Sequence, residues 1–181
     1  MNNRTIPLLL VVAALVIATG TATATVRGSP DISVSLQDDT VAAGEETTLD
    51  VVLANSGDLD QGSTTNPALD SEVTTARGLT VDVRDGNVPI SVTTGSQSLG
   101  SLATGAPTTA SFDISVDEDA EPGTYNVPVV LSYDYYSQIS GGVRQQSSVT
   151  RTRTVTVTVS DDATFDVTNV SSNAQVGSSG T

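Results

Sequence analysis

From Asp31 to Ser160 the apolar residues recur at every second position, and that period admits little besides half-buried β-strands. Ile32, Val34 and Leu36 share one face of a first run, and Leu49, Val51 and Leu53 share one face of the next. Leu79, Val81 and Val83 follow, then Val88, Ile90 and Val92, and a short irregular run around Leu99 and Leu102. Phe112, Ile114 and Val116 come next, with Ser111, Asp113 and Ser115 facing out. In the penultimate run Tyr125, Val127, Val129, Leu131 and Tyr133 point inward while Asn126, Pro128, Ser132 and Asp134 point outward. The last run, "SSVTRTRTVTVTVS", sets Val155, Val157 and Val159 against a threonine row, and threonine's branched carbon suits an exposed pleated face. No long window fits a helix. The pattern predicts an all-β antiparallel sandwich of seven to eight strands over residues 31–160, large enough to bury its own core. Pro128 cannot donate a ladder hydrogen bond, so its nitrogen must face a sheet edge or a bulge.

The segment before the sandwich reads as an export signal. Arg4 is a minimal positive n-region, Ile6 to Ala18 form a short apolar h-region, and Ala22-Thr23-Ala24 fits an A-x-A cleavage site. A spanning helix needs about 20 strongly apolar residues, more than this run offers before it turns to threonine and glycine. Residues 1–24 are therefore expected to be a cleaved signal helix, with an uncleaved anchor as the alternative and the only route to a membrane. Residues 25–30 are expected to be a linker. An exported chain of this kind is expected outside the cell or on its surface.

Composition narrows the chemistry. The formal net charge is -14, all 7 basic residues are arginine, and lysine, histidine and cysteine are absent. Without lysine there is no Schiff base or P-loop; without histidine and cysteine there are no usual triads, cysteine nucleophiles or nitrogen and sulfur metal sites. The acidity argues against nucleic acid, whose phosphates it would repel. No disulfide can form, so packing alone must stabilise the fold. An acidic, lysine-free surface rich in serine and threonine suits a salt-loving organism, because salt screens the self-repulsion. Carboxylates are the plausible general acids and bases besides tyrosine, yet no local motif marks a glycosidase-like pair, so no enzyme activity is expected.

One corner carries a family resemblance. Glu121-Pro122-Gly123-Thr124-Tyr125 resembles the E–F corner of immunoglobulin-like domains, where an acidic-x-Gly-x-Tyr sequence opens strand F. The resemblance implies that the Tyr125 hydroxyl bonds back to the corner's backbone and that Tyr125 and Gly123 are architectural. The position two residues on, a cysteine in antibody domains, is Val127. "AAGEETTLDVVLANSGD" with the later "EPGTYNVPVVLSY" is similar to secreted immunoglobulin-like modules of archaeal S-layer-related proteins. It is also similar to cell-adhesion-related bacterial domains and to the module associated with alpha-galactosidases. These families imply a repeated, non-catalytic surface module with a structural or adhesive role. The expected partners are other surface modules, a cell-envelope glycoprotein or a glycan. The alternative is a carbohydrate-binding or accessory module of a secreted enzyme or transporter.

Four features remain as candidate sites. The tail "TFDVTNVSSNAQVGSSGT" echoes "PDISVSLQDDTVAAGEET", so residues 161–181 are expected to be a linker and the start of a second module, with a flexible tail as the alternative. Asn169-Val170-Ser171 is a glycosylation sequon. The long connection 55–78 should lie at the same end as the loop 137–145, where an outward Tyr136 and the planar fork of Arg144 could meet a sugar or a protein epitope. At the other end, connections bearing Asp38, Asp39, Glu45, Glu46, Asp85, Asp117, Glu118, Asp119 and Glu121 should converge with Asp161 and Asp162. No resident cofactor is expected. Calcium, which takes six to eight oxygens, is the one candidate ion, with Asp38, Asp39, Asp85, Asp117, Asp119 and Asp161 as its ligands.

Overall fold

The period-two runs pair into two sheets in a computed structural model that describes residues 25–161. In chain order the first elements are β1 (Thr25–Ser29), β2 (Ile32–Leu36), β3 (Thr40–Ala42), β4 (Glu46–Asn55) and β5 (Asp58–Gln61). A short helix α1 (Ala68–Thr74) follows, then β6 (Ala76–Val83), β7 (Ile90–Val92) and β8 (Gln97–Leu102). The last three strands are β9 (Thr108–Val116), β10 (Gly123–Ser140) and β11 (Val143–Ser160). The smaller sheet has the order β2-β4-β9-β7, antiparallel throughout. The larger holds seven strands and is built on the β10–β11 hairpin, whose strands are 18 residues each. This is the expected all-β sandwich, but with eleven strands among the described residues where seven to eight were expected, because short runs such as β1, β3 and β5 add to the sheets.

Strand β10 serves two neighbours along one edge. Its middle pairs with β6, from Val129↔Val83 to Asp134↔Arg77, and its end pairs with β1, from Gln138↔Arg27 to Ser140↔Thr25. Strand β8 lies outside β6 and β5 outside β1. On the other edge β11 carries the three-residue β3 in parallel, at Thr158, Val159 and Ser160 only. Pro128 sits where its chemistry requires. Its carbonyl accepts from Arg84 N (3.0 Å), so its donorless nitrogen faces the same side, one rung past the last β6 pair at Val83.

The main core lies between the sheets, with Leu49, Val51, Leu53, Phe112, Val127 and Leu131 all essentially inaccessible. Every one of the expected inward runs contributes to it. The large sheet also buries a small cluster on its outer face. Tyr133 and Tyr135 pack with the main core, whereas Tyr136 packs with Val26, Val73 and Ile139. Adjacent residues of a strand point to opposite faces, and a bulge between Tyr136 and Gln138 returns Ile139 to the face of Tyr136. Helix α1 covers this outer face, against β1 and β10. Gly28 permits that approach, since a Cβ there would lie 2.6 Å from the Asp58 carbonyl and 3.0 Å from Val73 Cγ2.

Three sequence expectations need correction. Residues 25–30 are not all linker, because Thr25–Ser29 form β1, fixed by the fully buried Val26. The connection 55–78 is not an irregular loop, since it holds β5, α1 and the start of β6. Nor is 137–145 a loop: both hairpin strands run on to Ser140 and Val143 and reverse through Gly141 and Gly142, at φ 56 and 83. Two positive-φ residues match the right-handed twist of a two-residue hairpin, and glycine adopts them without steric cost. Residues 1–24 and 162–181 fall outside the described residues, and with them the signal, Asp162, the Asn169 sequon and the second-module echo.

Candidate functional site

Toward the tip of the long hairpin several chain segments meet. Asn55, at 2% exposure, is the knot. Its Nδ2 donates to the carbonyls of Thr74 (2.8 Å) and Leu102 (2.9 Å), and its Oδ1 accepts from Asp31 N (3.1 Å) and Gly57 N (3.0 Å). One amide thereby ties the start of β2, the connection before β5, the end of α1 and the end of β8. Both its donors and both its acceptor sites are used, as a buried amide requires. The residue was visible in principle: it continues the inward parity of Leu49, Val51 and Leu53 with a polar side chain.

Above it lies a charged layer over Tyr136. The Arg77 guanidinium stands 4.7 Å from the ring centroid and that of Arg144 5.9 Å, a double cation–π contact. Arg77 Nη2 donates to the Glu72 carbonyl (3.2 Å). Arg144 holds the Glu72 carboxylate with both arms of its fork, Nε at 2.7 Å and Nη2 at 3.1 Å. The hydrogen bond from Arg144 holds the Glu72 carboxyl below its usual value, and the same bond raises Arg144. Segment 55–78 and the hairpin tip lie at one end, as expected. Tyr136 and Arg144, expected there as recognition groups, are engaged within the fold. Tyr136 does point away from the main core, but α1 covers that face, so the ring is half-buried, and the fork of Arg144 is taken by Glu72. Glu72 and Arg77 lie on a short helix and beside a bulge, and no sequence motif marks them.

At the opposite pole the expected convergence of segments is present. Gly44 N donates to Asp117 O (3.1 Å), Val116 N to Glu45 O (2.9 Å), Asp117 N to Pro89 O (3.0 Å) and Thr158 N to Asp39 O (2.6 Å). The carboxylates themselves are dispersed. Asp39 Oδ1 accepts from its neighbour Thr40, Asp85 Oδ1 from Val92 N, and Glu45 Oε2 from Ala42 N. Among the described residues no three acidic side chains stand where they could hold one ion, and Asp38, Asp39, Asp85, Asp117, Asp119 and Asp161 are not gathered into one set. Backbone convergence fixes where segments meet, not where flexible, mutually repelling side chains point.

The corner separates its two expected architectural residues. Tyr125 Oη donates to Glu121 O at 2.7 Å, the backward bond that the motif implies. Gly123 has no positive φ, and a Cβ there would meet nothing within 4 Å, so glycine is not required. Among the described residues no helix is long and apolar enough to cross a membrane. No protein-family model matches the chain, and no curated protein shows significant similarity to it.

Proposed function

We propose that this chain is an exported, non-catalytic immunoglobulin-like module that acts as a structural or adhesive spacer at the cell surface, in tandem with others. The observation that carries this reading is that Thr25 and Ser160 lie at opposite poles of the fold. Thr25 pairs with Ser140 at the hairpin tip, whereas Ser160 pairs with Ala42 at the acidic pole. The two lie apart by the length of an 18-residue strand, roughly 55–60 Å. A unit strung by opposite poles extends a chain, while one with adjacent ends decorates it.

The strand neighbours support the finer fold. The order β2-β4-β9-β7 corresponds to strands A-B-E-D, and β11-β10-β6-β8 to G-F-C-C′, with the Tyr125 corner at the start of F. One departure is that β7 precedes β8 in the chain, so the connection visits the small sheet before the large one. The acidic, lysine-free composition adds a high-salt setting, in which molar salt raises the melting temperature by shortening the Debye length from about 10 Å to about 3 Å. Protease shaving of intact cells expressing the full chain, beside fractionation, tests the reading. Recovery in the envelope or medium, digestible from outside, is expected; a chain protected inside intact cells would overturn it.

A further inference from the structure

At the hairpin tip the large sheet narrows to four strands, β11-β10-β1-β5, and among the described residues neither outer strand has a further strand beside it there. Among the described residues β11 pairs with β3 only from Thr158 onward, so from Val143 to Val157 that edge has no hydrogen-bonded strand partner, although β2 of the smaller sheet packs near it. Among the described residues β5 pairs with β1 alone, and all four of its residues are exposed. The two edges are chemically opposite. β11 carries Arg144, Arg151 and Arg153 and no acidic residue, in a chain of net charge -14. β5 reads Asp-Leu-Asp-Gln. The exposed large apolar side chains among the described residues are Leu59 and Val143, one on each of these edges.

We propose that these edges recognise each other between copies: β5 of one molecule adds to β11 of the next, continuing the sheet in a head-to-tail series. Direction and facing both fit. β11 and β1 each run antiparallel to β10, and β5 antiparallel to β1, so β5 of one copy meets β11 of a similarly oriented neighbour as an antiparallel pair. Leu59 pairs with Gly28, whose Cβ direction meets Val73 of α1, so Leu59 lies on the helix face and Asp58, opposite Ser29, on the other; Asp60 is the extra residue of a bulge and stands with Gln61 opposite Arg27, on that other face as well. Arg151 and Arg153 share the parity of Val155 and Val157 and so lie on that same other face. Pairing Asp58 with Arg153 and Asp60 with Arg151 sets Leu59 beside Thr152, giving two opposite-charge cross-strand pairs. Arg153 reaches Asp31 only at 4.0 Å with both side chains well exposed, and Arg151, Asp58 and Asp60 have no ion-pair partner among the described residues. Long open edges are ordinarily blunted by charge or covered. Here the charge on one edge is matched by the charge on the other. Because the two surfaces differ, the contact does not close on itself by necessity, and the series is open-ended. The inference does not depend on where the protein resides.

Sedimentation velocity of the full chain over a concentration series tests it. The wild type is expected to grow in mass with concentration without stopping at a dimer. Asp58→Arg with Asp60→Arg, and separately Arg151→Asp with Arg153→Asp, should each weaken association by about tenfold or more, as loss of two cross-strand pairs implies. The four changes together exchange the charges and should restore it. Circular dichroism checks the fold. If a reversal unfolds the chain, the neutral replacements Asp58→Asn with Asp60→Asn and Arg151→Gln with Arg153→Gln take its place. A wild type that stays monomeric up to its solubility limit, either pair of changes leaving association intact, or a fourfold exchange that fails to restore it would each overturn the proposal.

Discussion

The large sheet buries apolar side chains on both of its faces, and the two burials are built on different terms. Between the sheets the core draws on every main strand, with fully buried Leu, Val, Ile and Phe side chains reinforcing one another. On the outer face, among the described residues, the buried apolar side chains are Val26, Val73 and Ile139, with Leu69 and Tyr136 partly so. So little apolar area cannot by itself hold a seven-residue helix, which is marginal in isolation. Polar ties supply the rest: the four hydrogen bonds of Asn55, the Glu72–Arg144 fork and the cations stacked on Tyr136. A large core is specified redundantly by many interchangeable contacts, a small one by a few that cannot be exchanged.

That contrast can be broken from either side. Phe112→Ala, in the main core at 0% exposure, should have the largest effect, about 3–5 kcal/mol of global stability lost through a cavity. Chemical denaturation checks it, and a loss near zero would mean the sheets do not face each other as described. Asn55→Ala comes next, at about 2–4 kcal/mol, because the carbonyls of Thr74 and Leu102 and the amides of Asp31 and Gly57 lose their partner. Its signature is local. Hydrogen exchange should quicken across α1 and β5 well before β4 and β9, and uniform quickening would deny the small cluster its separate origin.

Smaller effects sharpen the comparison. Tyr125→Phe removes only the bond to Glu121 O and should cost on the order of 1 kcal/mol, read by its denaturation midpoint, while Gly123→Ala should leave that midpoint unchanged. Glu72→Gln should have the least effect, since the pair is partly exposed and screened. Its pH dependence carries the information. The folded-state pKa of Glu72 is depressed, so the pair's contribution is full above the unfolded value near 4.5 and is lost as pH falls through the lower folded value. Wild type and Glu72→Gln should therefore differ at neutral pH and converge in acid. Equal stabilities at pH 7 would show that the fork contributes nothing.

What the sequence made legible follows the same division. Alternation over runs such as Leu49–Leu53 and Tyr125–Tyr133 is long enough to declare a strand, its inward face and, through the turns, its place in a sandwich. Elements of five, four and seven residues, as in β1, β5 and α1, complete too little of any period to register. Tyr136 shows the limit of parity. The alternation gives its direction relative to the main core, but nothing in it says that a helix lying four strands earlier in the sequence covers that face. At the acidic pole, strand order was enough to predict which segments meet, whereas ion coordination depends on side-chain placement that strand order does not set. Asn55 was within reach, as a polar residue at an inward position, yet its meaning required knowing which strand and helix ends surround it.

The opposite-pole path of the chain has a mechanical consequence. Tension applied at Thr25 and Ser160 runs along the strands, because β1 and β11 flank β10 and are drawn in opposite directions past it. The ladders are then loaded in shear, and their hydrogen bonds resist together. Tension between Thr25 and Val143, both at the tip, would instead part the strands one rung at a time. A fold strung this way converts the length of its longest hairpin into tensile strength.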